Sequence, residues 1–127
     1  MKILYTKQIN RASILKTIEK TIPIIRRFWG DQVTVCHGGV TQVNDDKQIS
    51  ESIKFEDLMR KIENEEKTNP FIVGEWDFFI LQCDNSEMIQ LCHESDVHFQ
   101  SQNLEMLKEI QAKLKEISIE YHEIVEQ

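Results

Sequence analysis

Between Pro70 and Phe99 two apolar runs, Phe71 to Cys83 and Met88 to His93, flank a short polar break, and this stretch constrains the fold more than any other. The first run is rich in aromatic and β-branched residues, is too short to span a membrane, and carries Glu75 and Asp77. Those features predict a strand. Asp84-Asn85-Ser86-Glu87 then supplies side chains that hydrogen-bond locally in turns, and the apolar pattern resumes at Met88. The spacing predicts a β-hairpin. Whether its loop is Asn85-Ser86 or Asp84 to Glu87, the register is the same and sets Ile80 opposite Leu91.

In that register Trp76, Phe78, Ile80, Ile89 and Leu91 share one face, the core face, because side chains alternate along a strand and cross-strand partners point the same way. The other face carries Phe79, Leu81 and Met88 near the turn. Farther out it sets Asp77 opposite Glu94 and Glu75 opposite Asp96. Like charges directly opposed destabilise a sheet, so such a cluster calls for a cation, a basic partner, or a departure from regular pairing. In the last case Glu94-Ser95-Asp96 forms a turn or bulge and the four acids spread into solvent.

A chain of 127 residues and 15.0 kDa with 40% hydrophobic content is expected to form one domain, 1–127, with a real core. It has no apolar stretch of membrane-spanning length, and Met1 to Thr6 lacks a signal-peptide pattern, so a soluble cytoplasmic protein without a membrane partner is expected. Three cysteines at spacings that match no disulfide framework fit a reducing compartment. Charge is unevenly spread: residues 1 to 40 hold seven Lys/Arg against Glu19 and Asp31, a net +5, and the remainder holds eight against twenty, a net −12. Between Thr68 and Leu107 there is no Lys or Arg at all, against seven acids. A surface of that sign repels phosphate backbones and attracts basic partners, so nucleic acid is not an expected partner.

Before the hairpin, Lys2 to Lys7 predicts a short edge strand, and Asn10 an N-cap for a helix from Arg11 to Trp29. Leu15, Ile18, Ile22, Ile25 and Trp29 form one apolar stripe along it, Pro23 predicts a kink, and Gly30 a C-cap. Val33 to Cys36 reads as a strand that stops at Gly38-Gly39; residues 40 to 51 read as an exposed loop or edge hairpin, and a short helix starts near Ser52. Val97 and Phe99 suggest a further short strand. From Ser101, Leu104, Leu107, Ile110, Leu114, Ile117, Tyr121 and Ile124 repeat at three and four residues, which predicts a long C-terminal helix along the sheet. The expected fold is therefore α+β: an antiparallel sheet of three to five strands with a kinked N-terminal helix, a short middle helix and a long C-terminal helix packed on the sheet.

With glycines only at positions 30, 38, 39 and 74, neither a P-loop nor a dinucleotide-binding turn can be built. Cys36-His37 and Cys92-His93 are neighbours, which on a strand point to opposite faces, so neither pair is expected to act as a dyad. Two sites remain. Glu94, Asp96 and His98, at spacing two and joined across the hairpin by Glu75 and Asp77, could hold Mg²⁺ or Mn²⁺ for phosphoester hydrolysis, although the stretch lacks the basic residue such chemistry normally uses. Alternatively the same acids form a rim around an aromatic anchor, Phe79 or Trp76, for a basic protein.

A small acidic single-domain chain with exposed clusters such as Glu75-Trp76-Asp77 and Glu94-Ser95-Asp96 resembles the immunity proteins that bacteria make against toxins. In that class, acidic side chains cover a nuclease toxin's basic active site. The resemblance implies a non-catalytic inhibitor, without cofactor and monomeric or at most weakly dimeric, whose partner is a cognate toxin with a basic surface. It implies Glu75, Asp77, Glu94 and Asp96 as contact residues, to which the hairpin reading adds Phe79 as an aromatic anchor.

Overall fold

The computed structural model describes residues 1–37, 49–68, 71–84 and 86–125. Strand β1 (Lys2–Thr6) leads to helix α1 (Arg11–Trp29), whose first turn is capped by Asn10: its Oδ1 accepts a bond from Ser13 N at 2.8 Å. The helix runs unbroken through Pro23 and ends at Gly30, which sits at φ +91° with its N–H bonded to the Arg26 carbonyl. Ile14, Ile18, Ile24 and Ile25 are buried along it. Thr17 and Thr21 are buried between them, because their hydroxyls donate to carbonyls one turn back, those of Ser13 and Thr17.

The chain continues through β2 (Gln32–His37), β3 (Ile49–Lys54), a single 3₁₀ turn at Phe55–Asp57, α2 (Leu58–Thr68), β4 (Phe78–Gln82), β5 (Met88–Cys92), β6 (Asp96–Ser101), α3 (Leu104–Glu116) and β7 (Tyr121–Val125). The strands form one antiparallel sheet of seven in the order β3-β2-β4-β5-β6-β1-β7. The α+β class agrees with expectation, but seven strands replace three to five. β1 is not at an edge: it lies between β6 and β7. Ser52 belongs to β3, so the middle helix starts later than its apolar spacing suggested. The turn expected at Gly38-Gly39, residues 40–48 of the loop or edge hairpin expected over 40–51, and the helix end expected at Asn69-Pro70 lie outside the described residues; residues 49–51 begin β3, an edge strand paired to β2.

The long C-terminal helix is also corrected. α3 stops at Glu116 because the chain turns left-handed at Ser118, φ +62°. Ser118 N bonds the Lys115 carbonyl and Ile119 N the Leu114 carbonyl, the paired bonds of a Schellman stop. Tyr121 and Ile124, read as the end of the helical stripe, instead lie on β7, paired to Thr6 and Ile3.

The β4–β5 hairpin forms with the expected faces in a different register. Ile80 pairs with Ile89 and Phe78 with Leu91, and the Gln82 N–H closes the loop on the Glu87 carbonyl at 3.0 Å. A shift of two residues keeps every side chain on its face. Phe78, Ile80, Ile89 and Leu91 are accordingly buried, in one core with Leu4, Val33, Val35, Val97 and Phe99 of the neighbouring strands and with apolar residues of all three helices. The first half of the predicted strand, however, is a turn: Gly74 stands at φ +90°, and the amides of Glu75 and Trp76 both bond the Ile72 carbonyl. Trp76 precedes β4 and packs partly buried against the core.

Candidate functional site

Pleating gives the sheet a second face, away from the helices. Cross-strand pairing places on it Cys36, Phe79, Gln90 and His98 in one row, with Tyr5 and His122 continuing it, and Leu81, Met88, Gln100, Ile3 and Ile124 in an adjacent row. Most of these side chains are half-buried, and Ile124 is 46% exposed. Phe79 thus stands where the hairpin pattern put it, on the face opposite the core.

At one end of this face the β5–β6 connection makes a sharp turn. Cys92 pairs with Asp96, and the three residues between them close with Ser95 N bonded to the Cys92 carbonyl at 3.1 Å and Ser95 at φ +65°. This is the three-residue hairpin whose last loop residue is left-handed. The turn is tied from outside at three points, one of them the Ile9 N–H, which donates to the Ser95 carbonyl at 2.8 Å. Ser95 Oγ donates to the Gly74 carbonyl, and Asp77 Oδ1 accepts from His93 N at 2.9 Å, His93 Nδ1 at 3.0 Å and Gln90 Nε2 at 3.0 Å.

Of the four acids expected to crowd together, three meet around this turn. Asp77 binds His93; Glu94 lies 3.7 Å from the other ring nitrogen of His93; Asp96 Oδ2 lies 3.1 Å from His98 Nε2. Among the described residues their ion-pair partners are histidines, not lysines or arginines. Direct opposition of Asp77 with Glu94 and of Glu75 with Asp96 does not occur, because β5 ends at Cys92 and Asp96 begins the next strand. Glu75 is exposed in the turn before β4, and its side chain has no ion pair among the described residues. Of the residues proposed to hold a divalent ion, Asp96 and His98 come together, whereas Glu94 turns to His93 and the thiol of Cys92 takes its place.

Cys92 is the residue that sequence alone did not single out. The alternation argument against a Cys92-His93 contact fails because His93 has left the strand, and Cys92 Sγ lies 3.9 Å from His93 Nδ1. One ligating atom each of Cys92, Asp96 and His98 lie within 4.8 Å of one another, as do those of Asp77, Cys92 and His93. A cavity of about 310 Å³ opens on the first of these groups, lined also by Glu94, Ile3, Tyr5 and Ile124.

The electrostatics separate two roles. Burial pushes the Asp77 carboxyl up, but hydrogen bonds from the His93 ring and amide and from Gln90 outweigh it, so its pKa is lowered. The same hydrogen bond and charge raise that of His93. Burial, with the nearby Asp96 and Asp77 carboxylates, pushes the Cys92 thiol up to about 11. A thiol held protonated beside an imidazole whose Nδ1 already faces a carboxylate is not an activated nucleophile.

In comparisons with known proteins, no protein-family model, no curated protein and no solved structure matches this chain.

Proposed function

We propose that this chain is a non-catalytic binding module that docks a basic protein partner on the sheet face away from its helices, and that the partner is a toxin of the nuclease type which it neutralises inside the cell. One observation carries the reading: half-exposed Phe79 lies on this face one row from a corner bearing Asp77, Glu94 and Asp96, with Leu81 and Met88 in the row beyond it and exposed Glu75 in the turn before β4, in a stretch from Thr68 to Leu107 that contains no Lys or Arg. Apolar side chains inside an acidic rim give a partner both buried contact and charge complementarity. Glu94 and Glu75 are the acids freest to meet a cation of a partner, Glu94 being 66% exposed. Asp77 and Asp96 shape the corner through their histidines. Among the described residues no helix is long and apolar enough to cross a membrane.

The test combines the purified chain with the protein products of its neighbouring genes, using calorimetry and size-exclusion chromatography. A one-to-one complex is expected, weakened at least about tenfold by the double change Glu75→Lys and Glu94→Lys and weakened again by salt. Binding indifferent to both changes overturns the reading, as does failure to bind any of those products.

A further inference from the structure

We propose that Cys92, Asp96 and His98 form a binding site for a divalent transition-metal ion, best suited to Zn²⁺, with its remaining coordination position facing the cavity. The site goes beyond partner docking and stands or falls separately from it.

The backbone holds these three residues on one face. Cys92 and Asp96 are direct cross-strand partners flanking a three-residue turn, and His98 follows Asp96 by two residues on the same strand and face. Their ligating atoms, within 4.8 Å of one another, are close to what a tetrahedral ion needs. Zinc bonds of about 2.0–2.3 Å put adjacent ligand atoms roughly 3.3–3.8 Å apart, so rotamer adjustments of about 1 Å close the site. A thiol, an imidazole and one carboxylate form a donor set for Zn²⁺ or Co²⁺, whereas Mg²⁺ and Ca²⁺ prefer oxygen throughout.

A second observation points to a ligand independently of that spacing. Asp96 Oδ1 is buried and accepts from no nitrogen or oxygen donor among the described residues, while its other oxygen bonds His98. Beyond His98 the carboxylate has, among the described residues, only the Cys92 thiol, a weak donor, as a side-chain partner, so it is under-satisfied and a cation would complete it. Asp96 also lines the cavity of about 310 Å³, which supplies an entry path and room for water or a further ligand on the metal. The ring of Tyr5, 5.8 Å from that of His98, supports the imidazole from β1. Coordination takes Cys92 as thiolate, its proton leaving to solvent.

Co²⁺ added to the tag-free, metal-stripped protein is the direct probe, because a cysteine ligand gives a sulfur-to-cobalt charge-transfer band. One equivalent is expected to produce the band, and Zn²⁺ to abolish it by displacement. Cys92→Ser should lose the band, and His98→Gln should weaken Co²⁺ binding at least about tenfold, while Cys83→Ser and His93→Gln retain the band. His98 is only partly buried, so His98→Gln decides the matter even if Cys92→Ser fails to fold, with circular dichroism confirming the fold of each variant. No band in the native sequence, a band that survives Cys92→Ser, or unchanged affinity in His98→Gln overturns the site.

Discussion

Asp77 and His93 are joined twice: one carboxylate oxygen accepts both the backbone N–H of His93, at 2.9 Å, and its ring Nδ1, at 3.0 Å. The residue just before β4 therefore holds the turn that ends β5. The lowered pKa of Asp77 means that its contribution is present above the unfolded carboxyl pKa and is lost as the pH falls through the folded value. The raised pKa of His93 means that its contribution is full below the unfolded imidazole pKa and is lost as the pH rises through the folded one. Both operate between about pH 4 and 6.5. Asp77→Ala is expected to cost about 1–2 kcal/mol there, a figure kept small because both side chains are partly solvated. Urea unfolding should show a smaller loss at pH 3 and at pH 8, and in Asp77→Asn the NMR-detected titration of His93 should fall toward the ordinary histidine value. An unchanged His93 titration would show that the pair is not coupled.

How far the sequence discloses this corner depends on what decides each part. The faces of β4 and β5 follow from alternation, and they survive a two-residue error in register, so Phe79 and the buried Phe78 and Ile80 could be sorted without the structure. The gathering of Cys92, Asp96 and His98 depends on where β5 stops, which is set by the left-handed Ser95 and by bonds to Asp77 and Gly74 from a distant segment. Strand β7 was hidden because Tyr121 and Ile124 happen to continue the three-and-four spacing of α3. The competing signal was there in Ile117, Ile119 and Tyr121, a period of two with β-branched residues that begins where the helix ends.

Gly74 is expected to resist substitution for two reasons that add. It adopts φ +90°, and a Cβ built there would lie 3.2 Å from Ile14 Cδ1 and 3.4 Å from Ser95 Oγ. Gly74→Ala should destabilise by about 1–3 kcal/mol. Because the neighbour that must give is Ile14, with Ser95 next to it at contact distance, the Ile14 methyl signal should shift most, and the amide signals of His93 to Asp96 more than those of β2. A variant with native stability and unshifted turn resonances would contradict this role.

Ser118 offers the opposite case, an improvement. A non-glycine residue at φ +62° costs about 1–2 kcal/mol, and glycine gives back about 0.5–1 kcal/mol of that through the greater freedom of the unfolded chain. Ser118→Gly should thus gain about 0.5–1 kcal/mol, raising Tm by about 2–4 °C. The stop of α3 and the entry into β7 should be unchanged, because both capping bonds are made by backbone amides. A fall in Tm would mean that the hydroxyl contributes more than the strain removes.

Glu87 joins three elements at the far end of the sheet. Its Oε1 accepts from the Trp29 indole at 3.2 Å and the Ser101 hydroxyl at 2.6 Å, and its Oε2 from the Gln102 amide at 3.1 Å. The Ser101 hydroxyl in turn accepts from the Asn103 amide, and Asn103 caps α3 through Met106 N. One carboxylate thereby connects the end of α1 to the start of α3 across β6. Glu87→Gln keeps an acceptor oxygen but loses the charge and adds an amide donor next to other donors, so a loss of about 1 kcal/mol is expected; Glu87→Ala should lose about 2–3 kcal/mol. The fluorescence of Trp29 should change in both, since its indole N–H loses or alters its acceptor, and Trp29→Phe in a Glu87→Ala background should add less than it does alone. Fully additive losses in that double-mutant cycle would show that the Trp29 contact contributes nothing to the connection.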